Sequence, residues 1–355
     1  MAKRRATSAD VARLAGVSRT TVSFVLNDRA DARIGAATRS RVHQAADRLG
    51  YRAHGPARQL AAGATRTLGL VLRRSAEQVA IDPLLPETLR GLTDQARAAG
   101  YRVQVEPLWA EPGAILDLLR SGEVDGLVIS GPRIEDEALD GLDDPAADEL
   151  PIVVHGSLPG SGLPSIDVDN VTGARQAVEH LITLGHRDIA CITNAPLTYT
   201  SARERLEGYR AALGATGIPA EPALEAIGGF DPPSGSRAMT ELLGRAVDFS
   251  AVFVAGDSVA LGAIAALREA GRRVPRDISI VGFDDIPLAA YLDPPLTTVR
   301  LPARELGALA GRILLDRLQA IAVPARTLLA TRLMVRGSAV APTAATAAAV
   351  VLMGR

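Results

Sequence analysis

The sequence predicts an α/β protein in which a small all-α N-terminal region precedes two units built on parallel sheets. Residues 7–27 place apolar side chains at the spacing of two short helices joined by a tight turn. From Thr67 onward, short apolar runs typical of strands alternate with longer amphipathic runs typical of helices, which predicts parallel sheets covered by helices. About 270 residues in this pattern suffice for two hydrophobic cores with a cleft between them.

The first predicted helix begins at a capping pattern and ends at a glycine. Thr7 and Asp10 have the spacing at which a hydroxyl and a carboxylate satisfy the amides of a first turn. Gly16 follows where the helix must stop, because glycine turns into a left-handed conformation without a side-chain clash. The inner face of this helix is predicted to consist of Val11, Leu14 and Ala15.

The second predicted helix has one face to pack and one face to present. Ser18 is placed to cap its first turn. The packing face is predicted to consist of Val22, Val25 and Leu26, and the opposite face of Arg19, Thr20, Ser23, Phe24 and Asn27. Such a helix suits the major groove of DNA. A capped helical hairpin also occurs in folds that bind no DNA, so the pattern needs a second observation.

The charge distribution supplies that observation. Residues 1–60 carry twelve Lys or Arg and four Asp, a net charge of +8, whereas the whole chain has a net charge of −1. The basic segment is therefore followed by an acidic body. Clustered positive charge of this kind is what binding to DNA phosphates requires, and it favours nucleic acid as a partner.

The hairpin resembles the headpiece of the LacI/GalR family of bacterial transcription regulators. The resemblance is carried by Asp10-Val11-Ala12, Ala15-Gly16-Val17-Ser18, Thr21-Val22-Ser23 and Leu26-Asn27, and later motifs extend it to about residue 338. It implies a helix-turn-helix whose DNA-binding residues are Thr7, Ser18, Arg19, Thr20, Thr21, Ser23, Phe24 and Asn27. Phe24 stands where the family usually has arginine. Phenylalanine contacts a thymine methyl group but cannot bind guanine through two hydrogen bonds, so we expect an unusual operator preference.

The resemblance also implies the domain organisation. It predicts a DNA-binding headpiece (1–51), a linker with a hinge helix (52–66), a two-lobed periplasmic-binding-protein-like domain for effector binding and dimerisation (67–338) and an Ala-rich tail (339–355). Pro56 suits the first turn of a short linker helix, which alone in water is only marginally stable. In the family this helix lies in the minor groove, with Leu60 as a wedge between base pairs; the implied DNA contacts are Ala57, Arg58 and Leu60. An ordinary flexible linker is the alternative.

The body is predicted to form two doubly wound units. Strand-like runs are 68–72, 102–105, 126–129 and 152–154 in the first unit and 189–192, 251–254 and 278–281 in a second unit that begins near Asp167. Helix-like runs are 86–99, 112–120, 173–184, 202–213, 236–243 and 258–270. The resemblance implies that the chain returns to the first unit near Leu296 and to the second near Ala325. Three crossings between two units suit hinge closure.

Polar side chains follow several predicted strands of the body, where ligands bind in open α/β sheets. His155, Asp257 and Asp284 are predicted at such positions, although Asp257 is equally suited to capping its own helix. The resemblance adds further residues and implies that Arg205 and Asp284 bind ligand hydroxyls while Phe230 stacks on a sugar ring. The predicted effector-binding residues are therefore Leu84, His155, Ser201, Arg205, Phe230, Asp257 and Asp284.

Two departures from the family's usual residues leave other classes of ligand possible. His155 stands where sugar-binding relatives often carry Asp, and Leu84 and Leu85 stand where many relatives carry aromatic residues. Both changes are compatible with a different polyol, a nucleoside or an organic acid as the ligand.

The sequence thus predicts an effector-responsive repressor that binds a palindromic operator as a homodimer, with a sugar or similar small polar ligand in the cleft. A solute receptor of the same body fold would need an export signal and no basic headpiece. An enzyme is disfavoured because no catalytic motif is found and the five histidines lack metal-ligand spacing, so neither cofactor nor metal is expected. No apolar run is long enough for a membrane span. The single cysteine, Cys191, fits a reducing cytoplasm.

Overall fold

The N-terminal unit is a bundle of three short helices. In the computed structural model, which describes residues 6–26, 34–51, 64–107, 113–134, 139–142 and 144–342, these helices are α1 (Ser8–Ala15), α2 (Arg19–Leu26) and α3 (Ala36–Leu49). Thr7 and Asp10 form a complete capping box at the start of α1, as predicted. Gly16 ends α1 with a φ of 65°, the left-handed conformation that glycine adopts most readily.

The core of this bundle is built from valine and alanine. Its buried side chains are Val11, Ala12, Ala15, Val22, Val25, Val42, Ala45 and Ala46. The expectation that Leu14 faces inward is wrong, because Leu14 is 46% exposed and Ala12 is buried in its place. Residues 11, 12 and 15 share one arc of the helix, and residue 14 lies about 100° from the centre of that arc.

The second structural unit, which begins at Thr67, consists of two α/β lobes. Lobe 1 contains strands β1 (Thr67–Leu72), β2 (Arg102–Pro107), β3 (Gly126–Ser130), β4 (Ile152–His155), β5 (Ser165–Val168) and β11 (Arg326–Leu329), and helices α4 (Ala76–Ala80), α5 (Leu85–Ala98), α6 (Ala114–Arg120) and α11 (Ala303–Leu318). Lobe 2 contains strands β6 (Ile189–Ile192), β7 (Glu225–Ala226), β8 (Ala251–Val254), β9 (Ser279–Asp284), β10 (Thr297–Arg300) and β12 (Arg332–Met334), and helices α7 (Asn170–Thr183), α8 (Thr200–Ala215), α9 (Pro232–Gly244) and α10 (Asp257–Glu269). In the part of the chain that the structure describes, no helix is long and apolar enough to cross a bilayer.

Each lobe is built on a six-stranded sheet that is buried on both faces. The strand orders are β11-β5-β4-β3-β1-β2 in lobe 1 and β12-β10-β9-β8-β6-β7 in lobe 2, and every pair is parallel except β10 with β12. Neighbouring residues of β1 pack into different cores, Leu70 on one face of the sheet and Val71 on the other. The prediction of parallel sheets covered by helices is confirmed. Because parallel strands point the same way, their carboxyl ends meet at one edge of each sheet.

The chain crosses between the lobes three times, between β5 and α7, between β10 and α11, and between β11 and β12. The number of crossings agrees with the expectation, but their positions in the sequence do not. Asp167 lies on β5 in lobe 1, so lobe 2 begins at Asn170. Leu296 precedes β10, which is still in lobe 2, and Ala325 precedes β11, which is still in lobe 1. Each crossing comes only after a strand has completed its pairing within the sheet, which moves all three boundaries toward the C-terminus.

Two glycines allow α5 and α11 to pack at backbone contact. A β-carbon on Gly91 would lie 2.0 Å from the carbonyl oxygen of Arg304, and one on Gly307 would lie 2.0 Å from that of Thr88. Both distances are far below van der Waals contact, so a larger residue at either position would force the helices apart. This contact fixes the returning helix α11 in lobe 1.

Candidate functional site

Helix α2 presents a mostly polar face in the N-terminal unit. The Ser18 hydroxyl oxygen accepts a hydrogen bond from the Thr21 amide at 3.0 Å, so Ser18 caps α2 as predicted. Val22 and Val25 are buried beneath this turn. The exposed side chains of the helix are Arg19, Thr20, Ser23 and Phe24. A helix with this division of faces has the chemistry to read base edges in a major groove.

The other predicted DNA contacts fall into two groups. Two of the hydroxyls are engaged within the protein: Thr7 Oγ1 donates to Asp10 Oδ2 at 2.7 Å, and Thr21 Oγ1 lies 2.9 Å from Ser18 Oγ. These residues therefore set the start of each helix, whatever else they contact. The remaining predicted contacts lie outside the described residues: Asn27, Ala57, Arg58 and Leu60.

A cavity of about 160 Å³ lies between the two lobes, where the carboxyl ends of their strands face each other. Six of the seven predicted effector-binding residues line it: Leu84, His155, Ser201, Arg205, Phe230 and Asp284. The seventh, Asp257, does not. Both lobes contribute to the wall, so the space between them changes whenever the lobes move about their three crossings.

Arg205 is held rigidly at the floor of this cavity. It projects from α8, is 5% exposed, and lies with its guanidinium carbon 3.7 Å from the centre of the Phe283 ring. Its Nε donates to Asn170 Oδ1 at 2.9 Å, and its Nη1 donates to the Ala255 carbonyl at 2.6 Å and to Asp284 Oδ1 at 3.1 Å. A guanidinium fixed from so many sides is preorganised to bind a ligand without reordering.

Asp284 is the carboxylate partner of Arg205 at the end of β9. Its backbone has a φ of 115°, a conformation that non-glycine residues seldom adopt and that is common at binding sites. Burial raises the pKa of Asp284 to about 6, against the opposing effect of the Arg205 charge. The carboxylate is therefore charged near neutral pH and available to accept hydrogen bonds from ligand hydroxyls.

Asp257 is a correction to the predicted site. It is fully buried, and its carboxylate accepts hydrogen bonds from Thr298 Oγ1 at 2.6 Å and from the Ile286 amide at 3.0 Å. Burial, followed by the nearby Asp284 charge, raises the pKa of Asp257 well above its ordinary value. Nor does it cap α10, which starts at Asp257 itself after Gly256. Its role is to tie β10 to the loop after β9.

His155 is a neutral hydrogen-bonding residue at the end of β4. Its Nδ1 lies 3.1 Å from Ser130 Oγ. Burial lowers the pKa of His155 to about 4, and the positive charge of Arg74 acts in the same direction. With Nδ1 engaged by Ser130, the uncharged imidazole offers a ligand Nε2, as a donor or an acceptor according to its tautomer, whereas an Asp at this position would offer acceptors only.

Several cavity residues were missed from the sequence. Arg74 and Asn194 line the cavity just after β1 and β6, and Ser130 lines it as the last residue of β3. The rule that polar side chains at strand ends face the ligand (the strand-end rule) found His155 and applies to them too. Tyr199 also lines it and packs edge to face against Phe230, with ring centres 4.8 Å apart. Nothing local in the sequence marks Tyr199, because its position depends on contacts between the lobes.

Both arginines of the cavity wall are paired with carboxylates. Arg74 lies 2.7 Å from Asp82, and Arg205 lies 3.1 Å from Asp284. Asp167 contributes a third carboxylate to the wall. The wall therefore carries more acidic than basic groups, and it suits a neutral ligand with hydroxyl donors better than an anion.

Comparisons with known proteins agree with the two-part organisation of the chain. Residues 7–54 match the model of bacterial regulatory proteins of the lacI family, and residues 178–339 match a periplasmic binding protein-like domain. The chain is 36% identical over 342 residues to the HTH-type transcriptional regulator CelR of Thermobifida fusca, covering 95% of this chain and 99% of the relative. It is 36% identical over 339 residues to the ribose operon repressor of Escherichia coli strain K12, and the match covers 94% of this chain and 100% of the relative. A structure of the lac repressor dimer bound to operator and an anti-inducer matches with a TM-score of 0.81 and 31% identity, covering 95% of this chain and all of that one.

Proposed function

The chain belongs to the LacI family of bacterial regulatory proteins, and from this premise we propose how its sites work together. The protein is a DNA-binding transcription regulator. We propose that it is a repressor that binds a palindromic operator as a homodimer, through the exposed face of α2. In the cavity between its lobes it takes a neutral sugar the size of a monosaccharide. It acts in the cytoplasm, where bacterial DNA lies, and no catalytic step is part of the proposal.

The Arg205–Asp284 pair carries the proposal for the ligand. A rigid guanidinium and a carboxylate side by side supply donors and an acceptor, which together match a hydroxyl that both donates and accepts. The aromatic side chains of Tyr199 and Phe230 provide an apolar surface at the same cavity. Polar groups around an aromatic wall suit a sugar ring, whose edge is polar and whose faces are largely C–H.

Charge and size narrow the ligand class. An organic acid or a phosphorylated sugar needs a cation without a competing carboxylate, and each arginine of the wall is already paired. A cavity of about 160 Å³ has room for roughly ten water molecules. A monosaccharide contains about the same number of non-hydrogen atoms as this number of water molecules. The charge of the wall favours a neutral sugar over an organic acid, and the volume of the cavity suits a monosaccharide.

The regulatory mechanism is a shift between two arrangements of the lobes. A ligand that contacts both lobes stabilises the closed arrangement, and the dimer passes this difference to the linker that contains Leu60. The ligand must favour one arrangement by about 1–3 kcal/mol to give a useful response. The linker helix, marginal on its own, then forms or breaks at the operator.

Operator binding with and without candidate ligands tests the proposal. A palindrome-bearing fragment from upstream of the gene is titrated at low salt, and the protein's melting temperature is measured with neutral monosaccharides, sugar phosphates, organic acids and nucleosides. We expect operator binding and a rise in melting temperature with at least one neutral monosaccharide. Arg205→Ala should abolish the sugar's effect on operator binding, whereas Arg210→Ala, an exposed residue of the same helix paired with Glu225, should not.

Each part of this experiment has a contrary outcome. Failure to bind any palindromic fragment contradicts the operator proposal. A rise in melting temperature with anions alone, or with nucleosides alone, contradicts the neutral sugar. Survival of the sugar response in a folded Arg205→Ala protein contradicts the assignment of the cavity.

A further inference from the structure

Asn194 lies in the cavity wall with one end of its side-chain amide unsatisfied. The residue follows β6 and is 6% exposed. Its Nδ2 is 3.4 Å from Ser201 Oγ, a long hydrogen bond, and within the described part of the chain its Oδ1 has no hydrogen-bond partner. If the amide is turned over, Nδ2 is left without a partner in place of Oδ1, so one end is unsatisfied in either orientation. Buried polar groups normally have partners, and at a binding cavity a ligand can supply the missing one.

The side chain of Asn194 is not needed to hold its own loop. The backbone carbonyl of Asn194 accepts a hydrogen bond from the Phe230 amide at 2.7 Å, and the preceding Thr193 bonds through its hydroxyl to Ala195 and Gly228. These bonds fix the backbone without using the carboxamide. The amide is therefore available for another role.

Asn194 and Asp284 border the same space above Gly256. Asn194 and Gly256 follow the adjacent strands β6 and β8, and Asp284 is the last residue of β9 on the other side of β8. A β-carbon on Gly256 would lie 3.0 Å from Asn194 Cβ and 3.5 Å from Asp284 Oδ2. A side chain at Gly256 would crowd both residues, so the glycine allows Asn194 and Asp284 to lie close to the same part of the cavity wall.

We propose that Asn194 is a specificity-determining residue of the cavity. Its carboxamide, beside Ser201, binds a ligand hydroxyl adjacent to the one that Asp284 and Arg205 bind. The cavity therefore selects sugars with two neighbouring hydroxyl groups in one orientation, and it rejects the analogue that lacks the hydroxyl facing Asn194. This inference rests on the proposed sugar-binding function and specifies how that site chooses among sugars.

The test compares sugars with their deoxy analogues. The full-length protein is titrated calorimetrically with a panel of aldopentoses and aldohexoses, and the tightest-binding sugar of that panel is then compared with each of its monodeoxy derivatives. We expect wild type to bind one derivative about tenfold more weakly than the parent because of a lost hydrogen bond to Asn194. In Asn194→Ala that ratio should fall to about one, whereas the ratios for the other derivatives should stay unchanged.

The control is Ser279→Ala, which removes a buried hydroxyl at the start of β9, at the opposite end of the strand from Asp284, from a residue that does not line the cavity. This variant should have a lower melting temperature than wild type, but its ratio of parent to derivative affinity should equal that of wild type for every deoxy sugar. If Asn194→Ala does not fold, Asn194→Ser provides the same comparison, because a serine hydroxyl is too short to replace the amide.

The outcomes distinguish a failure of the Asn194 assignment from a failure of the proposed sugar site. If the sugar binds and Asn194→Ala keeps all ratios, or weakens parent and derivatives equally, the role of Asn194 is refuted while the sugar site stands. If no sugar of the panel binds wild type, the proposed function fails and the inference fails with it.

Discussion

The guanidinium carbon of Arg74 in lobe 1 lies 5.8 Å from the centre of the Phe230 ring in lobe 2. The same arginine forms an ion pair with Asp82 at 2.7 Å, and both of these side chains are largely shielded from solvent. Nearby, Gln78 Nε2 lies 3.5 Å from the Gly229 carbonyl, also across the lobes. The contacts with Phe230 and Gly229 join the rim of lobe 1 to lobe 2 and exist only while the lobes are close together.

Replacing Arg74 should therefore weaken sugar binding by favouring the open arrangement. We expect Arg74→Gln to lower affinity about two- to fivefold, the size of a partly exposed cation–π contact. Titration calorimetry measures the effect, with Arg90→Gln, an exposed arginine on α5, as the control. Equal affinities of Arg74→Gln and wild type would show that this contact does not stabilise the closed lobes.

Acid should destabilise the protein partly through His155. Burial holds the pKa of His155 at about 4, below that of a free imidazole. Between pH 6.5 and 4 the unfolded chain binds a proton that the folded protein does not, so this contribution to stability is complete above pH 6.5 and is lost as the pH falls. The loss is at most about 1.4 kcal/mol per pH unit.

Urea unfolding at pH 5 and pH 7 measures this effect. His155→Gln should show a smaller loss of stability between the two pH values than wild type does. His43→Gln, which removes an exposed imidazole from α3, should behave like wild type. An unchanged loss in His155→Gln would mean that the imidazole is protonated as readily in the folded protein as in the unfolded chain.

Phe24 should influence which bases the operator contains. It is 36% exposed on the presented face of α2, where an aromatic ring favours contact with a thymine methyl group. We expect Phe24→Arg to shift selected binding sites toward guanine at one position in each half-site, by about 1–3 kcal/mol. Selection from a randomised operator pool measures the shift, and identical pools from both proteins would exclude Phe24 from base contact.

Leu60 should affect DNA binding without affecting the cavity. Leu60→Gly removes the proposed wedge, and we expect weaker operator binding with nearly unchanged sugar affinity. Leu60→Met keeps an apolar side chain and serves as the conservative comparison. Binding assays on one operator fragment, with calorimetry for the sugar, separate the two effects. An unchanged operator affinity in Leu60→Gly would contradict the wedge.

Much of the fold and part of the cavity could be predicted from the sequence. The caps of α1 and α2 involve residues at most three positions apart, and the strands appear as apolar runs, so local patterns specify both. The strand-end rule correctly places His155 and Asp284 at the cavity. Applied more widely, it also finds Arg74, Ser130 and Asn194. The error at Leu14 shows that apolar character alone does not reveal which arc of a short helix faces inward.

By itself, the sequence identified the capped helices of the N-terminal unit and seven strands of the body, and it predicted parallel sheets and a basic hairpin that precedes an acidic body. These features depend on neighbours within a few residues or on composition. Only the tertiary structure decided that Asp284 faces the cavity whereas Asp257 does not, although both lie near the carboxyl end of a strand. The partners that bury Asp257, Ile286 and Thr298, lie 29 and 41 residues away. Whether a polar group is satisfied internally or left for a ligand depends on such distant contacts, which no local pattern encodes.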